Sequence, residues 1–245
     1  MKNTITTTLA VAAFLLTSTA ARADETACIA GRERAAGAYA LCQSKAKGTF
    51  MTSWGKAETA FAKCRVKYNA EWAKLVAKNA GTSCAGARFV DNGDGTVTDH
   101  LTGLMWEKKT TVAGSGANPS DRHDVDNTYT WTAGDADLTD EDGTVFTDFL
   151  ADLNSGGGFA GTNDWRLPTL AELQTILLPE TFPCATAPCT VTELGPDAAS
   201  YYWSASPSLG YPMFAWFIYT LDGNANDFST DKTNSRVVRA VRSGS

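Results

Sequence analysis

The chain has 245 residues, with 21 Lys and Arg against 27 Asp and Glu, and a formal net charge of −6. The charge is divided unevenly, because residues 24–84 hold ten basic and five acidic side chains whereas residues 85–245 hold nine basic and twenty-two acidic ones. Nucleic acids and sulfated polysaccharides are polyanions that need a positive field, so an acidic region of this size argues against both. We therefore predict no nucleic-acid partner and two parts of different character.

Residues 1–23 have the pattern of a secretory signal peptide. A lysine at position 2 is followed by an apolar run over residues 9–16 and by the small-x-small sequence ARA at 21–23. The apolar run is shorter than the roughly 20 residues that cross a bilayer, and no later segment is apolar enough to do so. We expect an exported chain without a transmembrane segment, periplasmic or extracellular, that begins at Asp24.

Six cysteines in an exported chain indicate disulfide bonds. Four of them lie in residues 24–84, separated by 13, 21 and 19 residues, which does not match the close pairs of a zinc site. Three pairings of these four are possible. An antiparallel hairpin brings together residues whose numbers have a nearly constant sum, so it favours a nested pairing. The predicted disulfides are Cys28–Cys84, Cys42–Cys64 and, within the short loop PCATAPC, Cys184–Cys189.

Residues 24–84 are predicted to form this disulfide-stapled antiparallel helical hairpin. The segment has no proline, and its second half repeats apolar residues in steps of three and four. These residues are Trp54, Ala57, Phe61, Cys64, Tyr68, Trp72 and Leu75. A first helix is expected over residues 26–47, with a turn at 48–53. The role of the hairpin is interpreted as that of a spacer or docking stalk, and a binding role is the alternative.

After Cys84 the chain changes to short β-prone runs broken by Gly, Asn and Asp. The Asp94-Gly95 turn predicts a hairpin. A helix is expected over residues 143–155, and another over 167–178 with Thr169 as N-cap and Glu172 completing a capping box. The predicted strands lie at 88–90, 96–99 and 104–107 and within 201–208, 213–230 and 235–244.

Five ordered blocks of this region resemble the Lcl C-terminal domain family, over roughly residues 86–244. They are NGDGTVTDHLTGLMWEK, NDWRLPTLAELQTIL, YYWSAS, AWFIYTLDGNAN and SRVVRAVRSG. The resemblance implies a compact α+β, C-type-lectin-like domain of short antiparallel strands with two helices, on secreted or surface bacterial proteins. It implies adhesion or ligand binding, and a more distant similarity runs to the formylglycine-generating-enzyme fold. The chain differs from the collagen-like adhesin of the family in having no collagen-like repeat, and its acidity argues against glycosaminoglycan binding.

Asp164, Trp165 and Arg166 are predicted to organise the fold. A guanidinium beside a tryptophan and a helix start can stack on an aromatic ring and bond to loop carbonyls or a carboxylate. Asp164 is the expected partner of Arg166.

No catalytic residue and no metal site is predicted. His100 and His123 lie in no recognisable catalytic motif, and no spacing among the acidic residues singles out a glycosidase pair. Cys184 and Cys189 are interpreted as structural. The turn 91–95 and the loop 135–148 are rich in oxygen ligands, so calcium is an alternative to plain turns, although 135–148 does not fit the EF-hand spacing.

A ligand site is predicted on the loop 221–235, for which a solvated hairpin loop is the alternative. Amides and carboxylates near an aromatic ring suit sugar hydroxyls and the apolar face of a sugar. The residues are Asp222, Asn224, Asn226, Asp227 and Phe228, with Tyr219 nearby. We predict a secreted or surface, non-enzymatic adhesion protein that recognises a glycan or a cell-surface protein. The alternatives are a structural component of an envelope or extracellular assembly and a carbohydrate-active enzyme; the sequence does not indicate an oligomeric state.

Overall fold

The structure is a computed structural model that describes most of the chain. Among its described residues, no helix combines the length and the apolar character that a membrane span needs. The described residues are 27, 28, 30, 31, 34, 35, 37, 38, 41, 42, 45, 54–78, 88–135, 137–177, 187–208, 211–221 and 230–244. Residues 1–23, for which a signal peptide is predicted, lie outside them.

Two antiparallel helices form the N-terminal part. The described positions between residues 27 and 45 are helical, and the second helix spans Trp54–Lys78. The disulfide between Cys42 and Cys64, with the two Cα atoms 5.8 Å apart, joins them and confirms the predicted pair. On the seam predicted for the second helix, Cys64 and Tyr68 are buried.

Two further contacts give the register of the hairpin. The Tyr68 hydroxyl donates a hydrogen bond to the carbonyl of Ala38. A Cβ atom at Gly31 would lie 2.6 Å from Cδ2 of Leu75, so the glycine allows the two helices to approach closely here. Both pairs have the same residue-number sum as the disulfide, as two antiparallel helices in one register require.

Two other cysteines are also disulfide-bonded, namely Cys28 and Cys189. Both are buried. Their expected partners, Cys84 and Cys184, lie outside the described residues, so these two pairings stay predictions.

The hairpin packs against the rest of the chain through a small apolar cluster. Ala35, Cys64 and Tyr68 contribute from the hairpin, while Leu101 is buried in the same cluster and Ala171 packs against it. The turn at Leu101 and the short helix Leu170–Leu173 therefore pack against the hairpin.

The remainder is an α+β arrangement of short strands in two sheets. The first sheet, in the order β1-β2-β3-β9, contains β1 (Phe89–Asp91), β2 (Thr96–Asp99), β3 (Leu104–Glu107) and β9 (Val241–Ser243). The second, in the order β4-β8-β5-β6-β7, contains β4 (Thr128–Tyr129), β5 (Tyr201–Pro207), β6 (Phe214–Tyr219), β7 (Thr230–Asp231) and β8 (Arg236–Val237). All pairs are antiparallel except β5 with β8, which is parallel. β4 was not predicted, whereas the other strands lie within the predicted runs or within one residue of them.

The helices of this part are shorter than the periodicity predicts. A π-helix at Val145–Leu150 runs into one α-helical turn at Ala151–Leu153. The second predicted helix is α-helical only over Leu170–Leu173 and continues as a 3₁₀ turn, Gln174–Ile176. A further 3₁₀ turn lies at Thr192–Leu194.

The core forms two clusters on the two faces of the second sheet, and buried aromatic residues contribute to both. Alternation along β5 places Tyr202 in one cluster, with Trp106, and Trp203 in the other, with Trp131 and Trp165. Trp106, Trp165 and Trp203 are buried, and Trp216 packs against the first cluster from a half-buried position.

Candidate functional site

The Trp165-Arg166 segment joins elements of the fold. The buried Trp165 indole donates to the carbonyl of Phe159 at 2.9 Å, and its backbone N–H donates to the Asn154 side chain at 2.8 Å. The backbone of Arg166 exchanges both of its hydrogen bonds with Val241 of β9. The segment thus links the helical turn before it to the last strand.

The carboxylate that binds Arg166 is Glu172, not Asp164. Two guanidinium nitrogens of Arg166 donate to the two oxygens of Glu172 at 2.8 and 2.7 Å, whereas Asp164 pairs with Arg242 at 2.6 Å. Glu172 also accepts from the backbone N–H of Thr169, which completes the predicted capping box. Burial raises the pKa of Glu172, but these bonds outweigh it and hold the pKa below its usual range.

A buried charge cluster, which the sequence did not indicate, involves one of the two histidines. The Glu107 carboxylate is fully buried and lies 2.8 Å from both Lys109 Nζ and His123 Nδ1, and it also accepts from the backbone of Ala240. Burial raises the pKa of Glu107, but the neighbouring ammonium and the bond from His123 outweigh burial and lower it to about 2. Glu107 is therefore an ionised acceptor at neutral pH.

A second buried cation joins the end of β3 to the segment 194–197. Arg239 is fully buried and donates to the carbonyls of Glu107 and Leu194 at 2.8 and 2.9 Å, and it lies 3.4 Å from Asp197. Asp197 accepts in turn from the buried Tyr202 hydroxyl, whose pKa burial raises. We interpret this network as structural, because its groups bind one another in the interior.

The carboxylates of the turn at 91–95 accept hydrogen bonds from groups within the turn and next to it. Asp91 accepts from the N–H of Gly93, and Asp94 accepts from the N–H and hydroxyl of Thr96. Among the described side chains, no group of three His, Cys, Asp or Glu is placed to hold a metal ion. The turn therefore forms the predicted hairpin with internal bonds.

The acidic loop 135–148 contains a cation from the protein itself. Lys232 is buried, its Nζ lies 3.9 Å from the centre of the Trp131 ring, and it donates to the carbonyl of Thr139 at 3.0 Å. Burial lowers the pKa of Lys232, against the opposing effect of nearby Glu141, Asp137 and Asp140. Lys232 thus supplies a positive charge close to the acidic side chains of this loop.

An aromatic and cationic surface lies where β6 leads into the loop 221–235. The Tyr219 ring stacks on Tyr201 with centroids 4.4 Å apart, and the Arg236 guanidinium lies 4.5 Å from the Tyr201 ring. All three side chains are half-buried. The Nε of Arg236 has no hydrogen-bond partner within the described part of the chain.

Most of the predicted ligand residues cannot be placed against this surface. Asp222, Asn224, Asn226, Asp227 and Phe228 lie outside the described residues. Tyr219 is described. Tyr201 and Arg236 also belong to this surface, and no local sequence pattern indicates them. Only the pairing of Tyr201 with Tyr219, and of β5 with β8, reveals them.

Comparison with known proteins gives one match, to a protein-family model. No curated protein and no solved structure matches the chain. The model of the Lcl C-terminal domain matches residues 95–242, more than half of the chain. This family is associated with adhesins and is not a known enzyme family. The chain belongs to the Lcl C-terminal domain family.

Proposed function

We propose that this protein is a secreted or surface, non-enzymatic ligand-binding protein that acts in adhesion and recognises a glycan or a cell-surface protein. In this proposal residues 24–84 form a hairpin domain and residues 85–245 a C-type-lectin-like domain. The observation that carries it is the surface of Tyr201, Tyr219 and Arg236 at the start of the loop 221–235.

The chemistry of this surface suits a sugar. The face of an aromatic ring such as the half-buried Tyr219 carries negative charge density that attracts the C–H groups of a pyranose ring. Arg236 adds fixed N–H donors for hydroxyl oxygens. Asp222 and Asn224 follow Tyr219 within five residues, so their side chains can complete the site with acceptors and donors.

A glycan-array screen tests this proposal. The oxidised chain from residue 24 onward is applied with and without calcium, and we expect saturable binding to a defined group of glycans. The double substitution D222A/N224A and the single substitution Tyr219→Ala should abolish the signal. Tyr211→Ala is the matched control, since this tyrosine is 64% exposed and lies on the turn between β5 and β6. Equal loss with Tyr211→Ala, or no binding to any glycan, would contradict a glycan site on this loop.

A structural role in an extracellular assembly is the second candidate, and the hairpin surface favours it. Leu41 and Val66, next to the disulfide, are 58% and 54% exposed. Exposed apolar residues on a basic hairpin are suited to contacts between subunits. Sedimentation of the chain separates the candidates: concentration-dependent assembly that L41S/V66S abolishes, without glycan binding, would favour this role.

A further inference from the structure

A polar pocket of about 370 Å³ lies between three turns of the acidic region, and none of the described residues of the loop 221–235 lines it. Arg122, His123, Asp152 and Phe159 are among the residues that do. Small-molecule sites range from roughly 300 to 1,000 Å³, so the volume corresponds to a small ligand such as one sugar ring.

The tautomer of His123 follows from its buried neighbour. Nδ1 lies 2.8 Å from an oxygen of Glu107, and an ionised carboxylate can only accept hydrogen bonds. Nδ1 therefore carries the hydrogen, and in the neutral ring Nε2 is an acceptor. His123 lines the pocket with a side chain that is 22% exposed, and its Nδ1 is turned towards the buried Glu107.

Arg122 and Asp152 place donors and acceptors side by side. Arg122 Nε donates to Asp152 Oδ2 at 2.7 Å, and the two side chains are 32% and 52% exposed. The guanidinium has five N–H donors and the carboxylate two oxygens, so one bond between them leaves capacity on both. An adjacent donor and acceptor match two neighbouring hydroxyls of a sugar, each of which both donates and accepts.

The third element of the pocket is aromatic. The Phe159 ring lies against His123, with centroids 4.2 Å apart, and against the buried Trp165 at 5.0 Å. Its orientation is therefore set by packing. A half-buried ring beside polar groups provides the stacking face that a pyranose needs.

Internal bonds hold the walls of the pocket in place. Asp121 accepts from the backbone N–H of His123 at 2.9 Å and from the Thr110 hydroxyl at 2.6 Å. At Gly158, φ is +72° and a Cβ atom would lie 2.0 Å from the carbonyl oxygen of Thr162, so the turn requires glycine. The pocket is thus formed before any ligand arrives.

We infer that this pocket is a second binding site, and that its ligand is a neutral hexopyranose unit. Acidic ligands are disfavoured by Asp121 and Asp152, and apolar ligands by the charged lining. The inference goes beyond the proposed function and does not depend on it, because it uses neither the loop 221–235 nor the surface at Tyr219.

The imidazole NMR signals of the full chain test the inference, because the protein has only two histidines. The probes are glucose, galactose, mannose, N-acetylglucosamine and N-acetylgalactosamine, each titrated to its solubility limit. At least one should shift the His123 Nε2 resonance saturably and leave His100 unchanged. His100→Gln assigns the two signals.

Two matched carboxylate variants give the control. Asp152→Asn should weaken binding about tenfold, because it removes the charged acceptor. Asp164→Asn should leave it unchanged, since Asp164 is equally exposed and paired with an arginine but lies outside the lining. Absence of a His123 shift with all five sugars, or equal effects of the two variants, would overturn the inference. A shift that persists in D222A/N224A would separate this site from the loop.

Discussion

Arg166 shows what a local sequence pattern reveals and what it misses. Its structural role could be predicted, because a charged side chain between apolar residues and beside a helix start needs a partner. Its partner could not, because Asp164 is nearer in sequence but is turned towards Arg242 on β9. The capping box is the local pattern that could have identified the partner of Arg166. Glu172 folds back to the N–H of Thr169, and this places the Glu172 carboxylate beside Arg166.

Arg166→Lys should lower the free energy of unfolding by about 1–2 kcal/mol, because lysine cannot reproduce a two-bond contact with a carboxylate. Arg242→Lys is the matched control, and its pair with the exposed Asp164 should contribute no more than about 1 kcal/mol. Urea unfolding of both variants provides the measurement. Equal losses in the two variants would show that the Glu172 contact has no special role.

The Glu107 cluster predicts a loss of stability in acid. The folded chain holds the pKa of this carboxyl at about 2, against an ordinary value of 4.5. Its contribution is therefore complete above pH 4.5 and is lost as the pH falls towards 2, by about 3 kcal/mol at 1.36 kcal/mol per pKa unit.

Carbon-13 NMR of the side-chain carboxyl, followed with pH, should give a titration midpoint for Glu107 near 2. Unfolding free energies across the same range should fall less in Glu107→Gln, which has no proton to take up. A midpoint near the ordinary value of a glutamate would show that the ion pairs do not outweigh burial.

At the scale of elements, alternation and turn residues predicted the strands well, while helix lengths were overestimated. The strands succeed because Asp94-Gly95 and the β-branched residues beside it act locally. The helix after Gly143 begins as a π-helix, and the chain just before it packs closely on another segment, since a Cβ atom at Gly143 would lie 2.4 Å from the carbonyl oxygen of Thr130. Nothing in the apolar periodicity reports that contact.

Removing the disulfide with C42S/C64S should destabilise the hairpin by about 3 kcal/mol in the chain-entropy account for a loop of this length. Hydrogen exchange in the helix Trp54–Lys78 should accelerate, whereas exchange in β5 and β6 should change little. Because Leu101 joins the hairpin cluster, its neighbourhood should show an intermediate effect. Uniform acceleration across both sheets would contradict separate stabilities for the two parts.

The acidic loop should not depend on calcium, because Lys232 supplies its positive charge. Chelation of calcium should leave the melting temperature unchanged. Lys232→Met should destabilise the chain by about 2 kcal/mol through loss of the buried cation–π contact. Lys108→Met is the control, since its pair with Asp91 is exposed. Stabilisation of the unaltered chain by calcium would contradict this account of the loop.

At the scale of the whole molecule, two parts of opposite charge pack through a small apolar cluster. Composition predicted this division, but not the pocket at His123. Its lining comes from segments around residues 120, 152 and 158, and its histidine is oriented by Glu107 on β3. Only the folded topology brings these segments together, so no local motif identifies the site.

In the function proposed here, the surface at Tyr219 and the loop 221–235 binds a ligand. The most direct measurement is a calorimetric titration of the best array ligand into the unaltered chain, Tyr219→Ala and Tyr211→Ala. We predict one saturable binding event at this site, weakened more than tenfold in Tyr219→Ala, as expected for loss of an aromatic contact of about 1.5 kcal/mol, and unchanged in Tyr211→Ala. Binding that both substitutions leave intact would contradict a ligand site at Tyr219 and the loop 221–235.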